Sequence, residues 1–118
     1  MRAILFAATT DPARSRNFYE EVLGLRFVED SPFALVFDVE GTMLRIQKVE
    51  QVASPPYTLL GFNVSDIEDT VRSLESANVQ CERYEFLEQD ELGIWTTPDG
   101  VKIAWCKDPD GSVVSFTE

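Results

Sequence analysis

The stretch Ile94–Glu118 reads IWTTPDGVKIAWCKDPDGSVVSFTE, and its punctuation decides the fold. Two Pro-Asp-Gly turns, Pro98-Asp99-Gly100 and Pro109-Asp110-Gly111, bracket an alternating apolar run. Proline presets φ for the first central position of a turn, and glycine accepts the positive φ that follows. Val101–Lys107 and Ser112–Thr117 are therefore expected to form an antiparallel hairpin that closes a sheet. Such a sheet has two faces: one must lie under helices, and the other is free to hold something.

Working outward, the chain has 118 residues, the length of one domain with a sizeable core; ~two-thirds of its unfolded surface is buried on folding. Its formal charge of −11 disfavours nucleic acid and anionic membranes as partners. Neither a secretory leader nor an apolar stretch long enough to span a bilayer is evident. Cys81 and Cys106 fall in separate expected strands and are read as free thiols of a reducing cytoplasm. Histidine is absent, which removes imidazole as a nucleophile's base and as a metal ligand. Any chemistry must rest on carboxylates, Arg, Lys, Tyr, Cys or the backbone.

From the start, Arg2–Ala8 reads as a buried strand, and Asp11-Pro12 as a helix N-terminus. The helix is expected to run to about Leu23, with Ser15, Phe18, Tyr19 and Val22 inward, and to stop at Gly24. Strands follow at Leu25–Glu29, Phe33–Asp38 and Met43–Lys48. Val49–Tyr57 is a linker ending in Pro55-Pro56, after which the order restarts. Thr58–Val64 is a strand, Ser65-x-x-Glu68 a capping box, and Ile67, Val71 and Leu74 an apolar stripe on a helix that Asn78 ends. Gln80–Phe86, Gly93–Thr97, Val101–Lys107 and Ser112–Thr117 complete the strands. An offset of 55 residues lays Ile4 on Leu59, Asp11 on Asp66 and Tyr19 on Leu74. The expected architecture is α+β: tandem βαβββ units at 1–48 and 58–118, forming a curved mixed sheet around an open trough, with helices outside.

The segments Asp11-x6-Phe18-Tyr19-x2-Val22-Leu23-Gly24-Leu25, Gly61-Phe62-x-Val64-x-Asp66, Trp95-x2-Pro98-Asp99-Gly100 and Lys107-Asp108-Pro109-Asp110-Gly111 cover nearly the whole chain. In that order they resemble the vicinal oxygen chelate superfamily, which includes glyoxalase I, bleomycin- and fosfomycin-resistance proteins and extradiol dioxygenases. In its metal-dependent members, the resemblance implies four ligands entering the trough, from the first and last strands of each unit. Here those positions hold Ile4, Arg45, Leu59 and Ser115. Aliphatics, an arginine and a hydroxyl are not the donors that Zn²⁺, Ni²⁺ or Fe²⁺ take. No metal and no cofactor are expected, and glyoxalase or dioxygenase activity by the family's metal route is not.

Strand alternation from those four positions puts Phe6, Gln47, Gly61, Asn63 and Val113 on the trough side. Leu5, Leu44, Ile46, Leu60, Phe62, Val64, Val114 and Phe116 then go under the helices. Trp105 matches a position that bears a ligand-contacting aromatic in some resistance proteins, and Trp95 is its partner. The candidate ligand-binding set is Ile4, Phe6, Arg45, Gln47, Leu59, Asn63, Trp95, Trp105 and Ser115. Both tryptophans are equally read as filler of a collapsed trough or of a dimer contact. Arg45 is read either as a planar anchor for carboxylate or phosphate, or as a strand residue paired to a nearby acid. Glu82, Glu85, Glu88, Asp90 and Glu91 form an acidic rim.

The expectation is a metal-free homodimer that binds a small planar or aromatic molecule, as bleomycin-type resistance proteins do. Two alternatives stay open: an enzyme of metal-independent, lyase- or isomerase-like chemistry, and a structural or regulatory dimer with a filled trough. The acidic balance suits a basic ligand and Arg45 an anionic one.

Overall fold

The two Pro-Asp-Gly turns form as their chemistry requires in the computed structural model, which describes residues Met1–Glu118. Gly100 N–H donates to Thr97 O and Gly111 N–H to Asp108 O, each at 2.9 Å. Both glycines hold left-handed φ, +93° and +87°, where a Cβ would be strained. Between and after them run β7 (Lys102–Lys107) and β8 (Val113–Thr117), paired antiparallel with Trp105 opposite Ser115.

By its internal contacts the chain forms two units, Met1–Ser54 with Asp108–Gly111, and Pro55–Lys107 with Ser112–Glu118. The division falls inside the expected linker, and the second Pro-Asp-Gly turn groups with the first unit. There Asp110 Oδ1 accepts from Thr10 N–H (2.9 Å) and Thr10 Oγ1 (3.0 Å), while Asp110 O accepts from Ser54 Oγ (2.8 Å). Asp108, almost fully buried, accepts a 2.8 Å hydrogen bond from the phenol of buried Tyr19.

The first unit contains β1 (Ile4–Thr9), β2 (Arg26–Asp30), β3 (Ala34–Val39) and β4 (Thr42–Lys48), in the order β1-β4-β3-β2. Only the β1–β4 pair is parallel. Leu5, Leu44, Phe37 and Phe27 stand in one cross-strand row, with Ala7, Ile46 and Leu35 in the next. Leu35, Phe37, Leu44 and Ile46 are at most 1% exposed, and each such side chain contributes about 1.5–3 kcal/mol relative to water. Lys48 ties the β2–β3 turn to β4 by donating to Asp30 Oδ1 (2.5 Å) and Ser31 O (2.7 Å).

The first helix is not the uniform α-helix expected. It is α-helical over Pro12–Arg16 (α1) and π-helical over Asn17–Val22. Asp11 caps its start, accepting from Arg14 N–H at 3.2 Å, and Gly24 stops it at φ +74°. The wider turn lets Phe18 and Tyr19, adjacent in sequence, both bury and meet edge to face at 5.0 Å. A pattern of apolar residues cannot distinguish this from an α-turn one residue shorter.

The second unit repeats the topology. β5 (Thr58–Asn63), β8, β7 and β6 (Trp95–Thr96) lie in that order, again with only the first pair parallel. α2 (Ile67–Ser76) buries Ile67, Val71 and Leu74. Its N-cap is Asp66, which accepts from Asp69 N–H at 3.0 Å, rather than the expected Ser65. The carboxylate is the stronger acceptor, and this start places Ile67 on the buried stripe. Asn78, at φ +62°, ends the helix, and Val79 N–H donates back to Leu74 O (2.9 Å).

Two strands expected here do not form as read. Gln80–Phe86 is irregular, and Gly93–Thr97 shrinks to Trp95–Thr96 with one isolated bridge between Gln89 and Trp95. The Gln89 side chain replaces the ladder. Its carbonyl accepts from Tyr84 N–H (2.8 Å), and its amide donates to Glu82 O (2.9 Å) and Gly93 O (2.8 Å). A side-chain amide that satisfies three backbone groups removes the need for a neighbouring strand. No helix of the chain is long and apolar enough to cross a membrane.

Candidate functional site

The open face of the second unit's sheet is set by β7. Alternation sends Ala104 and Cys106 inward, fully buried, and turns Ile103 and Trp105 outward. Trp95 pairs with Ile103 across the β6–β7 ladder and so shares that face. The two indoles stack with centroids 6.3 Å apart at 27°. Tyr84 meets Trp105 at 90° and 5.4 Å, and Phe86 leans on Tyr84 at 5.7 Å. Both tryptophans and Tyr84 are half-buried, while Phe86 is 83% exposed. An exposed phenyl ring on a half-exposed phenol that itself meets an indole is costly in water, and protein surfaces retain such patches mainly where something docks.

The loop that brings Tyr84 and Phe86 here is the one built around Gln89. Arg83, between the two glutamates Glu82 and Glu85, turns to the loop's own carbonyls, donating to Asp90 O (2.6 Å) and Glu91 O (2.7 Å). Glu82 lies 3.5 Å from Lys107. Burial pushes the Tyr84 phenol above its usual range, and the Glu82 charge adds to the shift. Tyr84 is thus a hydrogen-bond donor at neutral pH and not a base.

Gly61, Ser115 and Trp105 form one cross-strand row of this face, and Asn63, Thr117 and Ile103 the next. Gly61 lets the hydroxyl approach: a Cβ there would stand 2.9 Å from Ser115 Oγ. Leu59, 39% exposed, sits at the irregularity where the β5–β8 register shifts. Val113, expected on the trough side, is 5% exposed and belongs to the core, a reading that alternation alone cannot give so close to that register shift.

In the first unit, Phe6 stands beside Arg45, Ile4 beside Met43, and Ala8 beside Gln47 in the β1–β4 register. Ile4, Phe6, Arg45 and Gln47 therefore share one face, with Ile4 and Phe6 about half exposed. Arg45 forms no ion pair, so the carboxylate partner weighed for it does not exist within the chain.

Each sheet thus gathers its own part of the sequence-derived set, four residues on the first and Leu59, Asn63, Trp95, Trp105 and Ser115 on the second. Neither Tyr84 nor Phe86 belongs to the sequence-derived set. Glu85 and Phe86 lie in a turn closed by Leu87 N–H on Tyr84 O, so no strand periodicity marks the two rings.

The positions where the resemblance implies metal ligands, Ile4, Arg45, Leu59 and Ser115, carry no carboxylate, imidazole or thiolate, and a guanidinium repels a cation. Nowhere in the chain do three or more Cys, Asp or Glu side chains converge as a metal site. These residues do not fit the family's divalent ion. A cavity of about 450 Å³ by the end of α2 is lined by Glu75, Cys81, Arg83 and Glu91 among others. Burial first, then the Glu75 charge, raises the Cys81 thiol pKa, which makes it a poor nucleophile.

Residues 3–116 match the family model of the Glyoxalase/Bleomycin resistance protein/Dioxygenase superfamily. No curated protein matches the sequence. Among solved structures, lactoylglutathione lyase from Agrobacterium tumefaciens is 19% identical with a TM-score of 0.73, over 98% of this chain and 92% of that one. A glyoxalase family protein from Enterococcus faecalis is 22% identical (TM-score 0.71; 99% and 94% covered). The genomically encoded fosfomycin resistance protein from Listeria monocytogenes is only 9% identical, yet reaches a TM-score of 0.79 over 99% of this chain and 91% of that one. At these identities the structural likeness establishes the fold, and the family model establishes kinship: the chain belongs to the glyoxalase/bleomycin resistance protein/dioxygenase superfamily.

Proposed function

We propose that this protein binds a small planar or aromatic molecule on the open face of its second sheet, without a metal. The observation that carries the reading is the ring assembly: Trp105 against Trp95 at 6.3 Å and against Tyr84 at 5.4 Å, all part-exposed. Offset and perpendicular rings offer π faces to a planar guest, and Ser115 and Asn63 on the same sheet supply hydrogen-bonding groups for its polar edge. The lyase and the resistance protein among its structural neighbours both act on small molecules by name, which is consistent with a binding face rather than a structural one.

The same proposal includes a homodimer with two-fold symmetry. β1 and β2 bound the first sheet, and β5 and β6 the second, and such edges call for covering. Sedimentation at micromolar concentration tests this, and a monomer would refute it.

Binding is tested by a thermal-shift screen of aromatic compounds with and without divalent cations. The expected hit raises Tm equally in the presence of a chelator and quenches tryptophan fluorescence. Trp105→Ala should weaken that hit by about 1–3 kcal/mol. Stabilisation that requires a divalent ion, or a hit indifferent to Trp105→Ala, would contradict the reading.

A further inference from the structure

Resting on that reading, we infer that the aromatic face selects a small organic cation, of the aryl quaternary ammonium class, through the corner formed by Tyr84 and Trp105. In this edge-to-face pair the edge of one ring meets the face of the other, and the ring surface that stays part-exposed carries the negative π potential that attracts a cation. Tryptophan is the strongest such face, and the second indole, Trp95, extends it. Phe86 adds a fourth ring at the exposed rim.

The charges around the corner point the same way. The loop that carries Tyr84 and Phe86 holds Glu82, Glu85, Glu88, Asp90 and Glu91 against Arg83 alone. Arg83 is committed to two loop carbonyls, and Lys107, the nearest cation of β7 to Trp105, is engaged by Glu82. Burial first, and the Glu82 charge after it, raises the Tyr84 pKa. Of these acids Glu82 acts on Tyr84 directly and disfavours an aryl anion there, while the protein's overall charge of −11 would steer a cation inward. A quaternary nitrogen suits the corner because it donates no hydrogen bond and is held by ring faces alone.

Three probes of the same size separate charge from shape: phenyltrimethylammonium, its neutral isostere tert-butylbenzene, and benzenesulfonate. Tryptophan fluorescence titration should give the ammonium at least about tenfold tighter binding than the isostere, with the sulfonate weakest. Tyr84→Leu should cost the ammonium about fivefold or more, and Tyr84→Phe, which keeps the π face, about twofold at most. Glu82→Gln should weaken the ammonium and leave the isostere unchanged, and added salt should do the same. Circular dichroism of Tyr84→Leu checks its fold; if it is unfolded, Trp95→Leu takes its place with the same expected loss. Equal affinities for all three probes, or a preference for the sulfonate, would overturn cation selection and leave the aromatic binding face standing. Binding of none of the three would overturn both.

Discussion

The two units share strand order and pairing sense, yet their open faces differ in kind. The first sheet has four full strands and presents Ile4, Phe6, Met43 and an unpaired Arg45. The second has reduced its last strand to Trp95–Thr96 and gathers Trp95, Trp105, Tyr84 and Phe86. Ladder hydrogen bonds give way to a loop held by the Gln89 and Arg83 side chains and by Glu82 N–H on Trp105 O. A strand would have fixed two rings at sheet spacing, whereas the loop lays a third ring perpendicular to the indole. The comparison teaches that one topology supports either a plain sheet or a face of packed rings, depending on how its final edge is satisfied.

If the loop's geometry is what distinguishes the second unit, Gly93→Ala should be the most damaging small change. Gly93 holds φ +94°, and a Cβ would stand 2.7 Å from Cys81 Cβ. The expected loss is about 2–4 kcal/mol in urea denaturation, since strain and overlap add. Gly100→Ala, at φ +93° with open space around it, should cost only about 1 kcal/mol.

Gln89→Leu sharpens the same contrast, because it orphans Tyr84 N–H, Glu82 O and Gly93 O together. About 2 kcal/mol is expected, along with faster amide exchange at Tyr84 and no change at β3 or β4. On the first unit the counterpart is Tyr19→Phe, which removes the phenol donor from buried Asp108 and should cost about 1–3 kcal/mol. Unchanged loop exchange in Gln89→Leu would mean that the loop is held by something else.

The smallest effect expected is alkaline. Tyr84 and Cys81 both titrate above their usual ranges, through burial and nearby carboxylates. A raised acid favours its neutral form in the folded chain, so its contribution is complete at neutral pH and fades as pH rises through the thiol and phenol ranges. Tyr84→Phe and Cys81→Ser should each flatten that alkaline loss; a loss unaltered by both would place its origin elsewhere.

Much of this fold was legible because it rests on local chemistry. The Pro-Asp-Gly turns, Gly24, Asn78 and the stripe Ile67-Val71-Leu74 each carry their structural reason within a few residues. The nearness of Trp95 to Trp105 was legible from alternation across two neighbouring strands. The π-helical turn at Asn17–Val22 was not, because it differs from an α-turn by one residue in a pattern that fits both. Nor was the Gln80–Phe86 loop, since nothing in the alternation of Cys81, Arg83 and Tyr84 reveals that Gln89 will take a strand's place. Phe86 was invisible for the same reason: its role depends on that loop.

The chain's only two tryptophans both lie in the aromatic face, so their indole N–H resonances report on it directly. A ¹⁵N-correlated spectrum titrated with the tightest of the three aromatic probes should move both indole signals, with backbone shifts centred on Tyr84, Trp95, Trp105 and Ser115. Stationary indoles, with shifts gathered instead around Ile4, Phe6 and Arg45, would show that the first sheet is the binding face and contradict the account.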